Sequence, residues 1–533
     1  MATITVKFAR RRAWRRGVRP IVSAVGTLML ACGPGASSVA QAAEWRFTPT
    51  VNLSETYSDN IRLATRGNEE SDFVTQISPG FTLTNDGPRL QVRANYALQA
   101  LLYADSDTST SLSNLFDATV RGMLVRDLLY FDARGSIGQQ NISPFGAQSS
   151  SNVNVNPNQA EVRTYSVSPY LVHRFENLAT AQLRYTHESF STSSTDNTTS
   201  DLISNTNIDR VALVVNSGPA FRVFAWGAQA STERNDFSGI DSVQRSNISG
   251  NAAYILNPAL RLTTTLGYEK ETYETPGDQP QGVYYNGGFI WTPNPRTNVM
   301  ATVGRRYFGE TFSLAASHRS RRTIFSVNYN EDVTTSQAQF IGTSLVSTSD
   351  LLNQLYSDRI ADPAARQRVV DAIILQTGLP AGLSVPVNAV TNRFFLQKSL
   401  QASAAFSGRR NTIVTTLFNT RREATSSQQS QGSLIGSQLA ALEDNSRQFG
   451  ATALWNLQMS ARTSANADVS YTRSKAVAAD QGSTTKTARL ALTTAFQPKL
   501  RGNLEYRRSQ QDSDFLGGDI RENAVTASLL MQF

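Results

Sequence analysis

The sequence predicts an all-β protein: a transmembrane antiparallel up-and-down β-barrel of about 22 strands, range roughly 18 to 24, with a small helical insertion in one long external loop. Three observations predict it. Segments alternate apolar and polar residues over more positions than a soluble strand uses. Tight turns alternate with longer polar loops. The last stretch, NAVTASLLMQF, has Val525, Ala527, Leu529, Met531 and Phe533 apolar at every second position.

Residues 1–43 come first in the chain. They carry Lys7, Arg10, Arg11, Arg12, Arg15, Arg16 and Arg19, then the apolar run IVSAVGTLMLA, then the small pair Ala40 and Ala42. That order matches a cleaved export signal, so residues 44–533 are expected to be the barrel domain. Taking those seven basic residues from the 50 Lys and Arg leaves 43 against 42 Asp and Glu. The formal charge of +8 therefore gives no reason to expect nucleic acid as a partner. The only cysteine, Cys32, lies in the same leader, so neither disulfides nor cysteine metal sites are expected beyond it. Acylation at Cys32 is the rival reading, and Leu30 and Ala31 form a poor approach to a lipidated cysteine.

Past the leader no run of about 18 apolar residues appears, so strands are left to do any crossing. The clearest is LQVRANYALQALLYA. Leu90, Val92, Ala94, Tyr96, Leu98, Ala100 and Leu102 share one face, while Arg93, Asn95 and Gln99 share the other and are the candidate lumen-facing residues. Soluble strands run about five or six residues, whereas a tilted membrane-crossing strand needs about nine to eleven. The turns are NDGPR, VRD, RFEN, NSGP, NPALR, PNPR, RSRR, GRRN, MSAR and PKLR, and the loops between them include ADSDTSTSLSN and AQSSSNVNVNPNQ. Ten turns joining strand pairs, with a first strand near WRFTPTVNL and a last one ending at Phe533, give the count of about 22 and place both termini on the periplasmic side. A barrel must close its first strand on its last, because an open edge in lipid leaves N–H and C=O groups unpaired. Phe533 is accordingly read as an assembly signal for the outer-membrane barrel assembly machinery.

Each turn carries an arginine in or close to it: Arg89, Arg126, Arg174, Arg222, Arg261, Arg296, Arg322, Arg409, Arg462 and Arg501. Two readings apply. These side chains snorkel to outer-membrane lipid, or they form a basic collar on the periplasmic rim that gathers anionic polymer. Acidic residues in the loops are read as solvated or as bridged to lipopolysaccharide by divalent ions, with no dedicated metal site and no cofactor.

Catalytic motifs are scarce. His173 and His318 flank turns, and His187 shares a strand face with Ser189, a pair that an acid residue converts into an acyl-transfer site. Neighbours two apart on a strand are common by chance, so no catalytic residue is assigned and the chain is read as a non-enzyme.

One loop departs from the strand pattern, at residues 333–392. SDLLNQLY and DPAARQRVVDAIILQTGLP read as amphipathic helices, the second with Asp362 as N-cap, Pro363 at its first position and Gly378 as terminator. Leu351, Leu352, Leu355, Val369, Val370, Ile373 and Ile374 need an apolar partner. A lid over or into the bore supplies one, and a hairpin folded on itself at the cell surface supplies another.

FTPTVNLSETYSDNIRLA, EESDFVTQISPGFTLTNDGPRLQVRANYALQALLYA and GSIGQQNISPFG give the chain a family likeness. Over roughly residues 47–147 it resembles the outer-membrane proteins associated with the PEP-CTERM protein-sorting system, a porin-like group of exopolysaccharide-making bacteria. The resemblance implies location and company, with exopolysaccharide and periplasmic export components as partners, and carries over no site residue. A bore of about 22 strands is either plugged or wet. Strand residues start at Trp45, so no separate plug is expected ahead of the barrel. The expected function is an outer-membrane pore, with export of exopolysaccharide or surface material as its cargo. A structural or adhesion barrel without a through-path, or an outer-membrane hydrolase, is the alternative.

Overall fold

The computed structural model describes residues 45–105, 110–193, 205–238, 241–273, 280–341, 348–357, 360, 362–377, 393–426, 445–477, 481–515 and 518–533. Its strands are β1 (Arg46–Ser58), β2 (Asp72–Asp86), β3 (Leu90–Tyr103), β4 (Ser111–Val125), β5 (Leu129–Asn141), β6 (Gln159–Phe175), β7 (Ala179–Ser193) and β8 (Thr206–Ser217). Next come β9 (Phe224–Phe237), β10 (Val243–Asn257), β11 (Leu260–Glu271), β12 (Gln281–Asn294), β13 (Thr297–Arg306), β14 (Gly309–Arg319) and β15 (Thr323–Thr335). The last seven are β16 (Phe394–Ser407), β17 (Asn411–Ala424), β18 (Asn445–Gln458), β19 (Thr463–Ala476), β20 (Gly482–Gln497), β21 (Leu500–Ser513) and β22 (Ile520–Gln532). All 22 belong to one sheet, each pairs antiparallel with its neighbours in sequence, and β1 pairs with β22 as well as β2. The closing ladder runs from Thr50↔Gln532 to Ser58↔Ala524, so no strand edge is left in the wall.

The ten turns fall where hairpin chemistry places them. At the β4–β5 turn Asp127 takes φ 59° and Val125 faces Leu129, a three-residue loop whose left-handed position an aspartate tolerates. Glu176 does the same at the β6–β7 turn, with φ 47°. Two-residue connections at Asn257↔Leu260 and Gln497↔Leu500 each follow a register shift, so a bulge absorbs the strand twist there.

Alternation sorts the wall into two faces. On β1, Phe47, Val51, Leu53 and Tyr57 are exposed, while Ser54, Thr56 and Ser58 are buried toward the interior. Phe47 and Tyr57 lie ten residues apart, about 33 Å along the strand and roughly 23–25 Å along the axis at a tilt of about 40–45°. That span matches the apolar band of an outer membrane. Exposed aromatics repeat at both levels: Phe47, Tyr254, Trp291, Phe325, Trp455, Phe496 and Phe533 toward the turns, and Tyr57, Phe73, Tyr165, Tyr185, Tyr268, Phe449 and Tyr506 toward the loops. No described helix is long and apolar enough to cross a membrane. A closed barrel with an apolar outer band between aromatic girdles is an outer-membrane β-barrel, with its tight turns in the periplasm.

Among the described residues three helices interrupt the barrel between β15 and β16: α1 (Ser336–Ile341), α2 (Thr348–Tyr356) and α3 (Pro363–Thr377). Sequence reading marked the second and third of these and missed α1. At the start of α3 the Ala365 N–H donates to Asp362 Oδ2 at 3.2 Å and the Arg366 N–H to the Asp362 carbonyl at 2.9 Å, an N-cap followed by Pro363. Gly378 lies outside the described residues.

Candidate functional site

The interior of the barrel is where the chemistry collects, and three features shape it. The first is the helical insertion. Leu352 of α2 and Val370 of α3 are buried with Ile324 of β15, Ala405 of β16, Val414 of β17 and Leu454 of β18, and Tyr356, Ile373 and Ile374 pack onto them. Ile324 is the second residue after one periplasmic turn and Ala405 the third before the next, so α2 and α3 stand inside the bore at its turn end. Tyr356 Oη lies 3.3 Å from Ser407 Oγ, and the Arg319 guanidinium donates to Ser357 Oγ. The apolar side chains thus meet the inner wall at the far end of the bore from the loop that delivers them. Val369 remains exposed; the side chains of Leu351 and Leu355 lie outside the described residues.

The second feature crosses the loop end. Phe340 of α1 packs on Phe190 of β7, centroids 5.5 Å apart, within a cluster of Ile142, Ala160 and Val162. Beyond the short β13–β14 hairpin, Arg245 of β10 donates to the Val333 carbonyl of β15 at 3.1 Å. Around it Phe237, Val243, Tyr273, Phe394 and Leu396 form an apolar cluster under Tyr307 and Phe308. Tyr307 donates to Glu271 Oε2 at 2.9 Å, and burial, then the nearby carboxylate, push its phenol well above the usual range. The wall is drawn together here.

The third feature is the β5–β6 loop, 142–158, read from sequence as one more external polar loop. It turns inward instead. Asn154 Nδ2 donates to Glu522 Oε1 at 2.6 Å, the Gln148 N–H to Gln511 Oε1 at 2.8 Å, and Gln511 Nε2 to the Gly146 carbonyl at 2.9 Å. Phe145 packs at a tilt against Phe515, ring centroids 4.9 Å apart, and Asn152 Nδ2 reaches Gln99 Oε1 on β3 at 3.0 Å. Glu522 also accepts from Ser58 Oγ at 2.9 Å and pairs with Arg507 at 3.2 Å, the two side chains 1% and 6% exposed. An asparagine-rich segment fits a polar bore as readily as it fits water, because its amides find partners in both.

Between the helices and the wall of β12–β16 lies a chamber of about 910 Å³. Asn298, Asn328, Asn330, Gln397 and Gln401 line the wall side, and Asn353, Gln354 and Arg366 the helix side. Asn328↔Gln401 and Asn330↔Ser399 are cross-strand partners, so amides and a hydroxyl stand side by side on the inner wall. Arg296 and Arg319 complete the lining, and no carboxylate contributes to it among the described residues. Such a surface offers hydrogen bonds of both kinds to hydroxyl-bearing solutes and attraction to anions.

The residues singled out from sequence distribute as follows. Arg93, Asn95 and Gln99 share the inward face of β3; Arg93 lies 3.6 Å from Asp86, and Asn95 Oδ1 accepts from Thr82 Oγ1 at 2.9 Å. Arg89, Arg126, Arg174, Arg222, Arg261, Arg296, Arg322, Arg409 and Arg462 are exposed at the turn end and Arg501 is half-buried there. Phe533 is exposed on the outer face, its N–H donating to the Pro49 carbonyl of β1 at 3.0 Å. His173 packs edge-on against Phe175, and His318 Nδ1 lies 2.9 Å from Thr297 Oγ1. His187 faces outward with Tyr185. Its Nδ1 is 2.9 Å from Asp209 Oδ1 and its Nε2 3.5 Å from Tyr165 Oη, so both ring nitrogens are aimed at groups other than Ser189. Glu522, Arg507 and Gln511 carry no distinguishing sequence signal, since polar residues facing a lumen look like any other polar half of a strand.

No protein-family model matches the chain, and no curated protein does. Solved structures with a similar course of chain include the FrpB iron transporter from Neisseria meningitidis, at 10% identity over 93% of this chain and 83% of that one, with a TM-score of 0.49. The siderophore receptor PirA from Pseudomonas aeruginosa is similar at 10% identity over 92% and 80%, with a TM-score of 0.45. PirA from Acinetobacter baumannii is similar at 9% identity over 91% and 80%, also with a TM-score of 0.45.

Proposed function

We propose that this chain is a gated outer-membrane pore for polar, hydroxyl-rich material, with exopolysaccharide or other surface material of the PEP-CTERM sorting system as cargo. The observation that carries the pore reading is the insertion of α2 and α3 inside the bore beside an amide-lined chamber of about 910 Å³. A purely structural barrel needs neither an internal helical element nor a polar chamber beneath it. The cargo class is supported by the resemblance of residues 47–147 and by the fit of the chamber's amide side chains to sugar hydroxyls. Exposed arginines at the turn end supply a basic rim for an acidic polymer or a periplasmic export component. In this reading the insertion is the gate, and displacement of α2 and α3 from Ile324, Ala405, Val414 and Leu454 opens the path.

The test is single-channel conductance in a planar bilayer. Replacing residues 336–392 by a short Gly-Asn turn keeps the Thr335↔Phe394 pair and is expected to raise conductance several-fold while the barrel remains heat-modifiable. Conductance equal to that of the wild type would remove the gate.

A further inference from the structure

We propose that the outward face of β17–β21 at the loop end is a binding surface for the phosphorylated headgroups of outer-leaflet lipopolysaccharide. The observation is a row of cations on adjacent strands. Arg421 of β17 is the direct partner of Arg447 on β18, and Arg447 of Lys475 on β19. Arg473 lies opposite Phe449, Lys486 of β20 opposite Tyr471, and Arg508 of β21 opposite Ala488. Residue parity puts all six on the face that exposes Leu417, Phe449, Val469, Leu490 and Tyr506, the face toward lipid.

Like charges directly opposite one another in an antiparallel pair are destabilising. Here Arg421 and Arg447 stand between Lys398 of β16 and Lys475, Lys398 meets Glu331 at 4.0 Å, and the carboxylates on the outward face of β17–β21 are two among the described residues. Glu423 meets Arg421 at 2.6 Å and Asp512 meets Lys486 at 3.7 Å. Arg447 donates only to an amide, Asn419 Oδ1, at 3.2 Å, and is exposed. Arg473 and Arg508 are exposed with no carboxylate partner among the described residues. An anion balances the charge of Arg447, Arg473 and Arg508, and its position is fixed by the girdle. Phe449, Tyr471 and Tyr506 mark the interface with the outer leaflet, so the cations stand at headgroup depth, where phosphates are. Guanidinium groups suit them, since the planar fork binds phosphate oxygens in pairs. Three cations elsewhere on the outer face stand singly beside carboxylates, Arg163 by Glu161, Arg234 by Asp236 and Arg305 opposite Glu310, and the same level of β1–β4 presents Glu55, Tyr57, Phe73, Leu102 and Leu112.

The full-length barrel is extracted from outer membranes in mild detergent with EDTA, and the bound glycolipid is quantified. Its affinity for lipid A carrying both phosphates is then compared with that for the dephosphorylated form. The wild type is expected to retain glycolipid through EDTA and to prefer the phosphorylated form. Combined Arg447→Gln, Arg473→Gln and Arg508→Gln should weaken that binding by about tenfold or more. A matched triple at exposed arginines elsewhere on the outer face, Arg163→Gln, Arg234→Gln and Arg305→Gln, should bind as the wild type does. Should the first triple not become heat-modifiable, Arg473→Gln and Arg508→Gln are read singly, each with a smaller loss in the same direction. The proposal is overturned if these variants bind normally, if the matched triple loses as much, or if dephosphorylated lipid A binds equally. Loss of glycolipid on EDTA alone would assign the contact to divalent ions, and competition by inorganic phosphate as effective as lipid A would assign it to a free-anion site. Either result overturns it.

Discussion

Glu522 ties three separate parts of the chain to one carboxylate oxygen: Ser58 of β1, Asn154 of the infolded loop and Arg507 of β21. Nothing in the run RENAV announces this, because a glutamate on the inward half of a strand is what any polar lumen contains. Two of its partners, Ser58 and Asn154, are distant in sequence, and only closure of β1 on β22 brings Ser58 beside it. Removing one member of a buried ion pair costs about 3–5 kcal/mol, because the other charge stays buried without compensation. That cost falls on the loop before it falls on the wall, since the β21–β22 ladder keeps its backbone bonds. Glu522→Ala is therefore expected to release residues 142–158, seen as faster proteolysis within that loop and noisier single-channel current, with the barrel still heat-modifiable. Proteolysis at the wild-type rate would show that the loop is held inward by its other contacts alone.

At the scale of the element, the strands and turns were legible in the sequence and the placement of the longer segments was not. Turn chemistry is local: NDGPR, VRD and PNPR state their geometry in three to five residues, and alternation between them counts the strands. A segment such as AQSSSNVNVNPNQ carries no comparable instruction. Its polarity suits solvent and suits the lumen-facing amides of Gln99 and Gln511, so composition leaves its direction open. The helical insertion was legible as helix from its N-cap and apolar residues, yet its landing point at Ala405 and Val414 depends on how far residues 336–377 reach down the bore. The turns also carry the basic rim, whose members sit on separate strands and act together only through the field they make. Neutralising Arg409, Arg410 and Arg462 together should shift ion selectivity toward cations at low salt and much less at high salt, because screening acts over about 8 to 10 Å. Selectivity unchanged at low salt would leave these side chains the role of lipid contacts.

At the scale of the whole molecule, two opposing demands meet in the bore. A closed ring of 22 strands satisfies every backbone group only by enclosing a wide interior, and a wide open interior in an outer membrane leaks small solutes. The described residues narrow it from both ends, with loop 142–158 and Phe340 toward the cell surface and α2 and α3 toward the periplasm. The periplasmic element is the one suited to movement. Among the described residues its contacts to the wall include a cluster of apolar side chains and the hydroxyls of Tyr356 and Ser357, whereas the loop is pinned by a buried ion pair and amides. The proposed gate can be locked without altering the wall. Leu352→Cys on α2 combined with Ala405→Cys on β16 places two thiols in the same buried cluster. Oxidised, this variant should show wild-type or lower conductance with the larger opening events abolished, and a reductant should restore them. If those openings persist with the disulfide formed, α2 does not have to leave the wall for the pore to conduct, and the path runs on the other side of the bore.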